Sequence, residues 1–479
     1  MGCRHLRWNA SANRPEVTRE LWQRHRTASW GQAGLAYWPG REAAATRWIR
    51  DHAVQSDRGS RWRPGMVFRN TLGSMLWMGI RATIMAAYLV ALTRLLGPTD
   101  YGVLTAAIAV SSLFGPFTGL GLSPLIVLHG SRAHNNLAPC WGKFLAVWSG
   151  SIPILGLLVF VLWSRTLSDT LGWITMAPLA VSEVVVIPLL GGAYHVLQAK
   201  EVIVPAFQID VSIAAMRLAA VLLLLLLGVD SITVFSWLYL MATCVGLGFA
   251  LRLLRSHLDT LLVVTRPSFA DLRDASAFLL LDLNSRASGA LDKVFLLNLQ
   301  GTHSVGVYSA GLRVSEAATL PFGALLRSTA PRLFRRQNGV DSGPRTSTKV
   351  VAAVTVGLGT LVAAAIYLLA PLLPVLLGPD WKESVGIMRW LAFLPLLYGL
   401  HHTLLTRVVG IASAGTRLQI ELLGLAASIV LYATLIPHLG MLGAVVGQLG
   451  NHAIAIVLAL VVLLHLRRRA PQNIAPADG

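Results

Sequence analysis

The chain is 479 residues long, 54% of them apolar and only 13% charged, with a mean hydropathy of +0.62. That composition excludes an ordinary soluble domain and makes lipid the main solvent, since a hydrocarbon core about 30 Å thick takes roughly 20 apolar residues per helical crossing. The net charge of +18 does not call for nucleic acid as a partner, because the basic residues lie mainly between and after apolar runs, where they set topology.

Residues 1–65 carry twelve Arg, five acids and scattered Trp but no run long enough to span, so we expect a basic, poorly ordered cytoplasmic tail. The segment lacks the apolar core and cleavage site of a secretory signal. Met66 stands just ahead of the first apolar run, so a true start there is an alternative to Met1.

Apolar runs broken by Gly, Pro and charge then give twelve expected spans, near 70–95, 102–129, 142–164, 171–197, 203–228, 231–252, 276–299, 304–328, 349–377, 384–409, 417–436 and 441–466. The widest break, 253–275, mixes Arg255, His257, Asp259, Arg266 and Arg273 with apolar residues and reads as a cytoplasmic amphipathic linker. The expectation is an all-α polytopic membrane protein of about twelve helices, in six-helix bundles over 66–252 and 276–466 facing a central cavity, with a cytoplasmic tail over 467–479. The two halves show no residue-level identity. Alternate loops carry sixteen Lys and Arg on one side, from Arg132 to Arg469, against Arg94, Arg165 and Lys382 on the other. Both termini are therefore expected on the cytoplasmic side of a bacterial inner membrane.

Enzyme signatures are absent from the sequence: no HExxH, no GxSxG and no Walker lysine loop. Cys3, Cys140 and Cys244 are far apart and form no metal or redox motif. We expect a transporter without cofactors, driven by an ion gradient or by voltage.

Three stretches carry a resemblance. ALTRLLGPTDYGVLTAAIAVSSLFGPFTGLGLS at 91–123 ends one helix near Leu96, turns through Gly97 and Pro98 and re-enters at Tyr101 and Gly102. DKVFLLNLQGTHSVGVYSAGLRVSEAATLPFGALLRSTAPRLF, from Asp292 to about residue 335, repeats such a turn, and 371–450 holds LLPVLLGPDWKES, IASAGTR and LIPHLGMLGAVVGQLG. In this order they resemble Wzx-type oligosaccharide flippases, polysaccharide biosynthesis transporters of the multidrug/oligosaccharidyl-lipid/polysaccharide exporter superfamily. The resemblance implies two facing bundles and a polyprenyl-pyrophosphate-linked oligosaccharide as substrate, flipped for O-antigen (lipopolysaccharide), capsule or exopolysaccharide synthesis. Its implied partners are that lipid, the surrounding membrane lipids and polysaccharide-assembly proteins.

Charges at membrane depth cost roughly 2.5–3.5 kcal/mol each, so they mark a cavity or a buried pair. Asp282, Arg286 and Lys293 share one helical face, with Asp292 beside it. Either Arg286 and Lys293 form a cationic wall for pyrophosphate, or Asp282 pairs with Arg286 and Asp292 or Lys293 snorkels to the periplasmic interface. Arg81 has no acid one turn away and is expected to line the cavity. Arg313 is a further substrate-binding candidate, although Glu316 three residues on is placed to pair with it. Asp282, Asp292 and Glu183 are candidates for ion coupling. Asp210 and Arg217 are further deep charges, which can pair locally as Arg313 and Glu316 can. The adjacent His401 and His402 point about 100° apart and should not both line one narrow path, while Asn451 and His452 are expected to join helices.

The alternatives are a multidrug exporter of the same superfamily, a peptidoglycan-precursor flippase, or a membrane glycan polymerase or ligase. The first concentrates acids in its cavity, whereas the deep charges here include four arginines. The last carries a large outer loop that this chain lacks.

Overall fold

The computed structural model describes residues 64–130, 137–166, 172–200, 202–258, 264–323, 325–326 and 348–469. From Val67 onward the helices below belong to one compact unit. The expected N-terminal tail, Arg332 to Arg345 and the last residues lie outside the described set.

The chain order is α1 (Pro64–Ser112), α2 (Gly115–Gly119), α3 (Leu122–Gly130), α4 (Ala138–Thr166) and α5 (Trp173–Ala180), then a π-helical turn at Val181–Val186 leading into α6 (Ile187–Ala199). Next come α7 (Ile203–Leu227), α8 (Ile232–Arg255), α9 (Phe269–Ala317), α10 (Thr348–Leu369) and α11 (Leu373–Leu377). The last four are α12 (Ser384–Leu391), α13 (Leu394–Ile411), α14 (Ala414–Leu439) and α15 (Met441–Arg469). The described secondary structure is helical throughout.

The 49-residue helices α1 and α9 are each two crossings. Gly97 (φ 68°, ψ 178°) and Gly301 (φ 81°, ψ 179°) adopt nearly the same backbone shape, open to glycine and strained for other residues, and each reverses the chain. Eight helical stretches are long and apolar enough to cross a membrane by composition; one of them, Leu76–Gly119, contains both arms of α1. The two arms of α9 carry several charges, and the crossing through α12 and α13 is broken at Ala392 and Phe393. With these, the described residues accommodate the expected twelve crossings. Outward-facing Leu157, Trp173, Leu226, Leu361 and Leu368 are more than half exposed, an apolar surface suited to lipid and costly in water.

Among the described residues, one large apolar cluster joins the two halves. There Leu92, Leu104 and Val159 of the first half share a cluster with Val307, Trp381 and Leu391 of the second. At the other end the halves keep separate cores, one around Trp141, Phe144 and Leu197, and one around Leu405, Val408 and Ala459. The start of α9 belongs to the first of these through Ala275.

The joined end is built by a reciprocal crossing. A Cβ at Gly102 would overlap the Thr302 carbonyl oxygen and lie 2.8 Å from the Gly306 nitrogen. Conversely, a Cβ at Gly306 would overlap the Pro98 carbonyl oxygen and lie 2.9 Å from its carbon. Gly97 and Gly102 therefore play the parts that Gly301 and Gly306 play in the other half, an internal repeat of backbone geometry carried by a shared Gly-x4-Gly spacing. Arg94 extends the contact by donating to the carbonyls of Leu376 (2.7 Å) and Val375 (3.1 Å), and Tyr101 packs edge-on against Trp381.

Candidate functional site

The site begins with an irregularity in the fourth crossing. Pro188 has no N–H to continue an α-helical ladder, and the Ile187 N–H before it bonds the Ser182 carbonyl five residues back. The resulting π turn carries Glu183, which is 4% exposed and accepts a hydrogen bond from the Tyr239 hydroxyl at 2.7 Å. The Arg217 guanidinium stacks over the Tyr239 ring, 3.9 Å from its centroid, and its buried Nε has no hydrogen-bond partner among the described residues. Arg217, Arg286 and Arg313 all lie within electrostatic reach of Glu183.

A second tyrosine–acid pair lies near the first. Tyr194 donates to Asp210 at 2.6 Å, with Arg81 and Arg217 in electrostatic reach. Arg81 is exposed and makes no ion pair among the described residues.

The seventh crossing divides its charges between two environments. Arg286 and Asp282 form a loose pair at 3.6 Å with 35% and 45% of each side chain exposed. Arg286 also reaches the first half, its Nη1 lying 3.6 Å from where a Gly115 Cβ would be. Lys293 is placed differently: its side chain is 4% exposed, and its ammonium lies 3.2 Å from Asp292 and donates to the Gly289 carbonyl at 2.7 Å. Tyr308 donates to the other oxygen of Asp292 at 2.8 Å. Lys293 and Asp292 are thus enclosed in a mutually neutralised group, and neither reaches out to the interface as the snorkelling alternative required. Arg313 and Glu316 pair at 3.2 Å along α9 and remain partly exposed.

His401 and His402 line the same cavity, their rings stacked at 4.7 Å, because the space is wider than a single-file path. His452 does join helices, its Nδ1 lying 2.9 Å from the Nδ1 of His401.

Sequence reasoning passed over Tyr194 and Tyr239. A neutral phenol in an apolar run gives no signal of its own, and only the folded packing sets it against a carboxylate.

At the end where the cores separate, Lys143 of α4 pairs with Asp271 at the start of α9 at 2.8 Å. Burial alone would raise the Asp271 pKa, but hydrogen bonds from Lys143 and from the Ser268 side chain and backbone hold it down at about 2. The Ser268–Asp271 capping box fixes that helix start.

No curated protein matches the sequence. Among solved structures, the inward-facing conformation of a multidrug resistance MATE family transporter of the MOP superfamily is 15% identical, covering 83% of this chain and all of its own, with a TM-score of 0.60. The outward-facing conformation of such a transporter is 16% identical over 84% of this chain and 95% of its own, with a TM-score of 0.57. A MOP superfamily transporter from Pyrococcus furiosus, described by the reverse polarity of its binding pocket, is 17% identical over the same shares, with a TM-score of 0.57. These likenesses establish the fold. The family model for polysaccharide biosynthesis proteins matches residues 67–337, more than half of the chain. A chain that carries this family's sequence over the first eight crossings, on the fold of MOP-superfamily transporters, belongs to the polysaccharide biosynthesis protein family.

Proposed function

We propose that the chain flips a polyprenyl-pyrophosphate-linked oligosaccharide across the inner membrane by alternating access, with the pyrophosphate held by Arg217, Arg286, Arg81 and Arg313. The observation that carries this is the unequal state of the charges. Glu183 and Asp210 are each capped by a tyrosine hydroxyl, while Arg217 keeps a buried, unpartnered Nε–H and Arg81 has no ion pair among the described residues. An anion with several oxygens would satisfy such donors, and the planar guanidinium suits it geometrically. Glu183 and Asp282 then tune the charge and are the coupling candidates, with both termini on the cytoplasmic side.

The same enclosed tyrosines and Glu183 offer features suited to an organic cation, the ligand class of a drug exporter. The two readings separate on one experiment: reconstitute the full chain in proteoliposomes and follow flipping of a fluorescent polyprenyl-pyrophosphate oligosaccharide beside efflux of a lipophilic cation. Arg217→Gln and Arg286→Gln should each lower flipping at least tenfold at unchanged abundance. Cation efflux that survives both changes, with no lipid flipping in the parent, would establish the exporter instead.

A further inference from the structure

The end of α8 and the start of α9 share one apolar core. Leu254 and Leu258 are buried in it with Ala275, and Leu251 and Leu272 pack against it. Arginine occupies the outward side of both helix ends. Arg252 and Arg255 stand three apart in the last turn of α8, Arg266 precedes the start of α9 and Arg273 follows it, and all four are exposed. Because α8 is long and apolar enough to cross the membrane as far as Arg255, its last turn lies at headgroup level.

Positive charge beside a crossing is enough to set topology, but topology does not require bare guanidiniums with apolar side chains between them. Arg252, Arg255 and Arg266 make no hydrogen bond or ion pair among the described residues. Arg273 has a loose contact with Asp274, at 3.8 Å with side chains 74% and 58% exposed. Asp271, the acid in the first turn of α9, is already engaged by Lys143 at 2.8 Å. Phe269 is 84% exposed and lies one turn before Arg273 on the same helical face, and Val264, beside Arg266, is 70% exposed. Arginine alternating with an exposed aromatic and an aliphatic side chain at the end of a crossing is the pattern of a surface that lies in the membrane interface.

We infer that this face is a docking surface for anionic phospholipid. The guanidiniums of Arg252, Arg255, Arg266 and Arg273 take the phosphate oxygens of the headgroups, to which their planar forks are matched. Phe269 and Val264 enter the boundary between headgroups and acyl chains. The face is fixed in place: the Ser268–Asp271 capping box sets the helix start, and a Cβ at Gly121 (φ 77°) would overlap the Ala275 carbonyl oxygen, so α9 begins hard against the first half. This surface depends on the membrane crossings alone and is independent of what the chain carries.

The test uses the full chain in phosphatidylcholine vesicles, with the native cysteines replaced by serine and a fluorophore on Ser256→Cys, an exposed position beside Arg255. Quenching is compared between spin-labelled phosphatidylglycerol and spin-labelled phosphatidylcholine at equal mole fraction. The parent should prefer the anionic lipid at least about fivefold, the increment that one arginine near a charged membrane surface supplies. Salt at about 0.5 M should shrink that preference without altering quenching by phosphatidylcholine. Changing Arg252, Arg255, Arg266 and Arg273 together to Gln should abolish it, and changing the same four to Lys should retain it. Unaltered quenching by phosphatidylcholine shows that each variant is inserted and folded, and the salt arm on the parent needs no variant. Equal quenching of the parent by the two lipids would leave the arginines to topology or to a soluble acidic partner and would overturn the surface. A preference that persists unchanged at high salt, or in the glutamine variant, would place the lipid selectivity elsewhere and overturn it as well.

Discussion

The glycine crossing that joins the two halves should act as a gate, and a single methyl group tests it. Gly102→Ala places a Cβ in overlap with the Thr302 carbonyl oxygen and 2.8 Å from the Gly306 nitrogen, and both of those neighbours are backbone atoms that cannot rotate away. Overpacking of this kind costs about 1–3 kcal/mol, which corresponds to a shift of roughly 5- to 150-fold toward conformations in which the two helix starts separate. Gly306→Ala meets the Pro98 carbonyl and should act alike. The double variant should exceed either single change by less than their sum, since both substitutions strain one contact. The control is Gly79→Ala, where nothing lies within 4 Å of the new atom. The assay is a spin-label distance distribution between Asp100→Cys and His303→Cys, two exposed positions beside the crossing, with the native cysteines replaced by serine. A longer-distance population should appear in Gly102→Ala and Gly306→Ala and stay absent in Gly79→Ala. Distributions that match the parent in both strained variants, with the protein folded, would refute the crossing as the closure of that end.

Other outcomes follow from the same contacts. Tyr239→Phe leaves the Glu183 carboxyl buried without its donor, at a cost of about 1–3 kcal/mol, so the melting temperature should fall and Glu183→Gln added to it should recover part of the loss; an unchanged melting temperature in Tyr239→Phe would remove this bond from the core of the site. The pair between Asp282 and Arg286 is long and partly exposed, worth at most about 1 kcal/mol, so Arg286→Gln should keep normal abundance and lose flipping. If Asp282→Asn restores flipping to that variant, Arg286 serves its neighbour and not the substrate. The Lys143–Asp271 pair has a definite pH signature. Because the folded pKa of Asp271 lies below the ordinary 3.8, at about 2, its contribution is present above 3.8 and is lost only as pH falls through about 2. The difference in melting temperature between the parent and Lys143→Gln should therefore stay constant from pH 5 to 8, and a difference that disappears within that window would contradict the pairing.

The amino-acid sequence by itself determined the class of protein and most of its outline. Hydrophobic run length is a local property, and lipid enforces it: every crossing must be apolar enough to enter and helical enough to satisfy its own backbone. For that reason the twelve crossings, the glycine turn at Gly97 and its counterpart at Gly301 were legible in one dimension. Local spacing likewise gave the Arg313–Glu316 pair and offered Asp282 to Arg286, but left Asp292 or Lys293 to snorkel. Only the tertiary structure paired Lys293 with Asp292, enclosing both with Tyr308, and left Arg286 half open against Gly115. It also brought Tyr239 to Glu183 across 56 residues and His452 to His401 across 51. Such contacts depend on how helices distant in sequence rotate and pack, and a neutral tyrosine or glycine among apolar neighbours carries no mark of the partner it will meet. The Gly102–Gly306 crossing shows the limit well: the two spacings can be read from the chain, but that they interlock is decided by two backbones approaching so closely that no side chain fits between them.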